Sequence, residues 1–316
     1  MTENDALMSD IASSARASGA SKFPHLLNEV SAVAEQGVSE RCAYIDEDRW
    51  LPYRRANEIL AAMEDLLTRP RINRPPNLMV VGRSGNGKSH VMDHFARLHP
   101  GQKNLEGPNI IAPVMLIETP PTANATDLYD TILGMLNRAV PRATRGNERR
   151  DAAKDILGIV KTKVLLVDEI NHLLSGSPKR QQDFLFALKY LSNELRMSIV
   201  ISGTPESLQL IRLSDQIENR FQLEALPVWT LNDELRVLLA NFEQALPLQK
   251  KSKLSSKAMA SLIHSIGGDT IGSIASLLNK AAKVAITSGE EQITEEILRT
   301  CAPMSKQEKV EIRRNL

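Results

Sequence analysis

The chain has 316 residues, 24% of them charged, with a formal net charge of +1. That length can bury one large or two modest cores, and the near-neutral balance excludes nucleic-acid binding through bulk charge, so local basic clusters would have to supply it. Cys42 and Cys301 stand far apart without CxxC or Cys/His spacing, which excludes a disulfide framework and a zinc site, and no apolar run of about 18 residues or leader-like start suggests a membrane. A cytoplasmic protein with no membrane partner is expected.

Residues 1 to about 22 are rich in Ser and Ala and read as an arm. From Phe23 to Val38 the spacing of Leu26, Leu27, Val30 and Val33 predicts a short amphipathic helix, and the pattern leaves open whether it packs on the main domain or on a neighbouring subunit. Residues 1–43 are taken as this N-terminal arm and helix. A nucleotide-binding domain over 44–230 begins at Tyr44-Ile45, continues with a helix carrying Ile59, Leu60, Met63, Leu66 and Leu67, and meets a helix-ending RPRINRPP stretch.

Leu78 to Ser89 reads LMVVGRSGNGKS, the one stretch where spacing alone dictates chemistry. A short buried strand, Leu78 to Val81, runs into a loop whose Gly82, Gly85 and Gly87 let the chain curl around phosphate oxygens. Arg83, Ser84 and Asn86 complete the loop, and Lys88, Ser89 and His90 open a helix. Backbone amides and the helix N-terminus cradle phosphates, the lysine reaches the β/γ pair, and the serine hydroxyl holds Mg²⁺, so ATP and Mg²⁺ are the expected ligands.

Asn109 to Thr119 is expected to be a second strand, followed by a helix over 127–136. Over 138–154 six basic residues face two acidic ones, a local positive cluster. KVLLVDE at 163–169 is a third strand, Lys179 to Leu195 a helix, and MSIVISGT at 197–204 a fourth strand. This alternation predicts an α/β fold, a parallel sheet covered on both faces with its ligand site at the strands' carboxyl ends. After Pro227 only helices are expected: a small helical lid over 231–302, its clearest stripe being Ile274, Leu277, Leu278, Ala281, Ala282 and Ala285, then a charged tail at 303–316.

Asp168-Glu169 at the end of an apolar strand is the chemical companion of the phosphate loop. The aspartate holds Mg²⁺ with Ser89, and the glutamate orients and deprotonates the attacking water. Thr204, ending the next strand, is placed to meet the γ-phosphate or that water. Arg220, in DQIENRF, can reach a nucleotide held by another subunit, with Arg212 the competing choice.

GRSGNGKS, VLLVDE, SGT and ENRF, in that order before a helical lid, resemble an AAA+ P-loop ATPase of the initiator-like kind. More narrowly, YIDEDRW, RANEILAAMEDLLTRPRINRPPNLMVVGRSGNGKS, VLLVDEINHLLSGSPKRQQDFLFALKYLSNEL, ISGTPE and LPVW resemble the TniB/TnsC transposition regulators over roughly residues 40 to 300. That resemblance implies a homo-oligomer, ring or filament, formed with Mg-ATP on duplex DNA, linking a TniQ-type target selector to a transposase. Its nucleotide residues carry over to Gly82, Gly87, Lys88, Ser89, Asp168, Glu169, Thr204 and Arg220, and Tyr44 and Ile45 join the candidate set. The lid departs from the pattern: where many relatives place a Gly-Arg pair, this chain has Gly272-Ser273. Slow, partner-dependent hydrolysis is the expectation.

A protein that accepts any duplex needs phosphate contacts rather than base edges. Lys103, Thr119, Thr122, Arg142, Arg145, Arg149 and Arg150 are the candidates. The alternatives are a helicase-loader-like remodelling ATPase, a small-molecule P-loop kinase and a non-hydrolysing scaffold.

Overall fold

A computed structural model describes residues 22–105, 107–121, 124–137, 145–213 and 215–303. In chain order the elements are α1 (Asn28–Ala34), α2 (Val38–Asp46), α3 (Arg54–Thr68), β1 (Asn77–Gly82), α4 (Lys88–Leu98), β2 (Gln102–Lys103), β3 (Ile110–Ile111), β4 (Val114–Glu118), α5 (Ala125–Met135), α6 (Gly146–Ile159) and β5 (Val164–Asp168). There follow α7 (Pro178–Leu195), β6 (Ser198–Gly203), α8 (Leu208–Ile211), α9 (Asp215–Glu218), β7 (Phe221–Leu226), α10 (Asp233–Ala245), α11 (Lys257–Gly267), α12 (Ile271–Thr287) and α13 (Glu295–Thr300). They fall into two compact units, Pro52–Val228 and the remainder of the chain on either side of it.

Five parallel strands in the order β4-β5-β6-β1-β7 form the sheet of the first unit. Strands β1, β5 and β6 are apolar almost throughout because helices cover both faces. Met79, Leu165, Ile199 and Ile201 meet Leu128, Ile132, Leu157, Phe184 and Leu188 from α5, α6 and α7 in one core.

Two strand expectations need correcting. The apolar run from Asn109 to Thr119 is not one strand: Ile110–Ile111 pairs antiparallel with Gln102–Lys103, and β4 starts only at Val114, after Pro113, which has no amide to donate. Strand β7 was not expected at all. Its Gln222 and Glu224 break the apolar run because it is an edge strand with partly exposed residues, paired only with β1.

The second unit joins the C-terminal helices to the N-terminal ones. Asn232, Ser256, Thr270 and Thr294 each cap a helix there by accepting a backbone N–H. The stripe Ile274, Leu277, Leu278, Ala281, Ala282 and Ala285 is buried, as its period predicts. Sequence left the partner of the N-terminal helix open, and the structure supplies it: the Leu27 amide donates to the Gln244 carbonyl, Gln249 Nε2 to the Ala34 carbonyl, and α2 packs on α12. The expected helix over 23–38 is confined to Asn28–Ala34, and α2 begins only at Val38, after Gly37. Residues 44–51 accordingly belong with the helical unit, whereas the sequence pattern placed them with the sheet. Residues 1–21 and most of the tail, 304–316, lie outside the described residues.

Candidate functional site

Register fixes what the carboxyl ends of the strands bring together. Val81 pairs with Gly203, Val167 with Ile201, and Glu118 with Asp168, so the phosphate loop, Asp168-Glu169 and Thr204 leave adjacent strands on one edge of the sheet. The loop turns through two left-handed glycines, Gly85 at φ 73° and Gly87 at φ 85°, a conformation that costs a side-chain-bearing residue about 1–2 kcal/mol. Asn86 is buried, and its amide donates to the carbonyls of Leu226 (2.9 Å) and Pro227 (2.8 Å), pinning the loop to the end of β7. Gly82 is needed for the same approach, since a Cβ there would lie 3.1 Å from both Leu226 Cβ and its carbonyl oxygen.

Lys88 is only 4% exposed, and among the described residues its ammonium donates to the Arg83 carbonyl, at 3.2 Å, within the loop itself. A buried ammonium held over a ring of glycine-loop amides is a receptor for polyanionic oxygens. Arg83, Ser84 and Ser89 are exposed around it and His90 is half-buried.

Asp168 is fixed by its neighbours. Its Oδ1 accepts from the Glu169 amide (2.9 Å) and from the Ser202 hydroxyl, leaving Oδ2 open among the described residues. Its backbone carbonyl accepts from both the Thr119 amide (2.9 Å) and the Thr119 hydroxyl (2.7 Å), and a His172 ring nitrogen lies 2.9 Å from the Thr119 carbonyl. Glu169 has φ 54° and ψ 44°, a left-handed backbone at a non-glycine residue. Such conformations persist where surrounding contacts hold them and collect at functional sites. Thr204 begins a 3-10 turn through Ser207, and the neighbouring Glu206 carboxyl is held below its usual range by a hydrogen bond to Thr204, with the Lys88 charge adding to it. An open aspartate oxygen and an exposed Ser89 hydroxyl at the same edge of the sheet suit Mg²⁺ beside a phosphate chain. No cluster of His, Cys, Asp and Glu among the described residues could hold a metal alone, so the phosphates would have to complete its shell.

Arg220 is elsewhere. It precedes β7 at the amino ends of the strands, where its carbonyl accepts from Asn77 at 3.0 Å and its guanidinium donates to Asn193 Oδ1 at 2.7 Å. The six residues of β7 separate it from the loop by roughly 20 Å, so it cannot serve the phosphate loop of its own chain. Burial, then the nearby Arg74 charge, lowers its pKa. Arg212 is exposed, 4.0 Å from Glu218. Tyr44 and Ile45 lie in the helical unit, Tyr44 under the Arg49 guanidinium at 3.1 Å from the ring centre.

Among the DNA candidates, Thr119 is corrected: it is 1% exposed and spends both donors on Asp168, so it supports the site instead of meeting a phosphate outside. Arg149 is half-buried and ion-paired with Asp130 on α5. Arg150 bonds Asp151 at 3.0 Å and lies 5.1 Å from the centre of the Tyr190 ring. Lys103 and Arg145 are exposed. Thr122 and Arg142 lie outside the described residues.

Sequence reasoning missed Ser202 and Gly203. A Cβ on Gly203 would lie 2.2 Å from Ser207 Oγ and 2.7 Å from Ile170 Cγ2, so the SGT step needs glycine for space. The available signal was a serine and a glycine ending an otherwise apolar strand.

The comparisons agree with this geometry. The chain resembles the ORC1-type DNA replication protein 14 of Haloarcula marismortui, 26% identical over 92% of this chain and 68% of that one. Solved structures with a similar fold include the Aeropyrum pernix ORC2 protein in ADPNP-ADP complexes (17% identity, TM-score 0.60, 84% of this chain and 73% of that one) and Cdc6p from Pyrobaculum aerophilum (18%, 0.58, 82% and 69%). The Aeropyrum pernix ORC1 protein in complex with DNA is a third, at 17% identity and TM-score 0.54, covering 82% of this chain and 68% of that one. Residues 41–231 match the family model described as bacterial TniB protein. With its five-stranded parallel sheet and phosphate loop, the chain belongs to the TniB family and is an AAA+ ATPase of that type.

Proposed function

We propose that the protein is an ATP-dependent regulator of transposition, assembling on duplex DNA with Mg-ATP and connecting a TniQ-type target selector to the transposase. The observation that carries the assembly step is the split site: phosphate loop and acids at the carboxyl ends of the strands, Arg220 at the amino ends. A site with its arginine roughly 20 Å away, across the sheet, is completed by a second copy. Family membership supports the transposition setting, and the DNA named with one structural neighbour and one relative favours a DNA-bound assembly.

In this reading the loop amides and Lys88 bind the phosphates, Ser89 and the open oxygen of Asp168 hold the metal, and Ser202 keeps Asp168 turned towards it. Glu169 takes the proton of the attacking water, Thr204 positions that water, and Arg220 of a neighbouring copy offsets charge on the transferring group. Mg²⁺ held by these residues would supply charge neutralisation at the phosphates. Arg83, Ser84 and His90 complete the nucleotide contacts, and Lys103, Arg145 and Arg150 meet DNA phosphates.

Negative-stain images and ATPase rates, with and without duplex DNA, test this. Ordered assemblies requiring both nucleotide and duplex, with hydrolysis that rises in their presence, are expected. Monomers indifferent to DNA that phosphorylate a metabolite would replace this reading with a kinase. Stable binding to a replicative helicase without transposase stimulation would favour a loader.

A further inference from the structure

Glu206 is a carboxylate at the nucleotide site to which the hydrolytic scheme gives no task. Val81 pairs with Gly203, so the segment Thr204-Pro205-Glu206-Ser207 leaves the sheet beside the phosphate loop. That segment is a pinned turn. Pro205 restricts its first backbone angle, the Ser207 amide donates to the Thr204 carbonyl at 2.9 Å, and the hydroxyl of the buried Ser207 donates to the same carbonyl. Glycine at 203 leaves the room that the Ser207 hydroxyl fills. On this turn the Glu206 carboxylate is bonded to the Thr204 side chain and to its own amide, within the field of the Lys88 ammonium.

The direction of the Thr204 bond follows from the two groups. An ionised carboxylate only accepts, so the threonine hydroxyl must donate, and a hydroxyl has one proton to give. With that proton committed to Glu206, the rest of the oxygen presents lone pairs alone. Phosphate oxygens are acceptors as well and gain nothing there, whereas a water molecule can donate to it. The same hydroxyl with its proton free would suit the γ-phosphate.

We propose that Glu206 is a positioning residue for hydrolysis: by taking the Thr204 proton it turns that hydroxyl into an acceptor, which orients the attacking water and disfavours a direct phosphate contact. One hydrogen of the water then meets Thr204, the other is left for Glu169, and a lone pair is left for phosphorus. This role rests on the reading of Thr204 as part of the hydrolytic site. A carboxylate that merely capped the turn would serve stability and leave the rate alone.

Single-turnover hydrolysis of Mg-ATP, nucleotide Kd and Tm, measured on the full chain with duplex DNA, test it in Thr204→Val, Glu206→Ala, Glu206→Gln and the double variant Thr204→Val, Glu206→Ala. Thr204→Val and Glu206→Ala should each slow hydrolysis by about tenfold and change Kd by less than about twofold. The double variant should be no slower than either single one, because Glu206 acts through the hydroxyl. Glu206→Gln, whose side-chain carbonyl still accepts from Thr204, should restore most of the rate lost in Glu206→Ala. If Thr204→Val slows hydrolysis and Glu206→Ala does not, the role of Glu206 falls and that of Thr204 stands. An unchanged rate in Thr204→Val would remove Thr204 from the site, and Glu206 with it. Additive losses in the double variant, a lowered Tm with an unchanged rate, or tighter ATP binding by Glu206→Ala at an unchanged rate would each overturn the proposal.

Discussion

At the scale of single residues, Asp168 shows how a carboxylate at a strand end is aimed. Sequence places it after a buried strand, but its hold on Ser202 and Thr119 comes from neighbouring strands and has no signature in the VLLVDE run. Removing the loop ammonium and removing the base should act differently. Lys88→Ala should abolish nucleotide-driven assembly, whereas Glu169→Gln should still assemble and then persist, as followed by light scattering after ATP addition. Failure of Glu169→Gln to assemble in ATP would remove its role as base. Gly203→Ala has a purely steric consequence: with Ser207 Oγ at 2.2 Å from the added carbon, a loss of about 1–3 kcal/mol is expected in urea unfolding. An unchanged midpoint would mean that the turn after β6 yields freely.

At the scale of elements, the N-terminal helices are tied to the C-terminal ones through Arg41. Its guanidinium, 3% exposed, donates to the Pro247 carbonyl (3.0 Å from Nε) and grips the Glu291 carboxylate. Burial raises the pKa of Glu291, but hydrogen bonds from Arg41 and the Gln249 amide, with the Arg41 and Lys250 charges, outweigh it and leave it lowered. A carboxyl whose folded pKa is depressed stabilises above its unfolded pKa and loses that stabilisation as pH falls through the folded value. Glu291→Gln should therefore cost about 1–3 kcal/mol at neutral pH, with the gap in Tm closing in acid below about pH 4. A gap independent of pH would show the carboxylate charge to be irrelevant. The basic stretch around α6 also divides by element. Arg145, exposed ahead of the helix, is expected to contribute to DNA binding equally on all sequences, so Arg145→Ala should lower the salt slope of anisotropy titrations by about 1. Arg149 joins α6 to α5 through Asp130, and the pattern of charges could not separate the two roles.

At the scale of the whole molecule, the proposed role of Arg220 would make oligomerisation a chemical requirement. Arg220→Ala and Glu169→Gln should each hydrolyse ATP poorly, yet mixing them should restore part of the rate, because the intact loop and base of one copy can meet the intact arginine of the other. No recovery at any ratio would place the arginine in the wrong role. Sequence alone determined the phosphate loop, the paired acids at the end of β5 and the helical stripe of α12, because each depends on contiguous residues whose spacing sets backbone geometry and exposure. Only the tertiary structure decided the rest: that an edge strand completes the sheet, that helices from opposite ends of the chain share one unit, and that Arg220 lies at the opposite end of the strands from the phosphate loop. Those outcomes join residues up to 250 positions apart, as Arg41 and Glu291 are, and strand order and helix packing bring them together through burial of a common core.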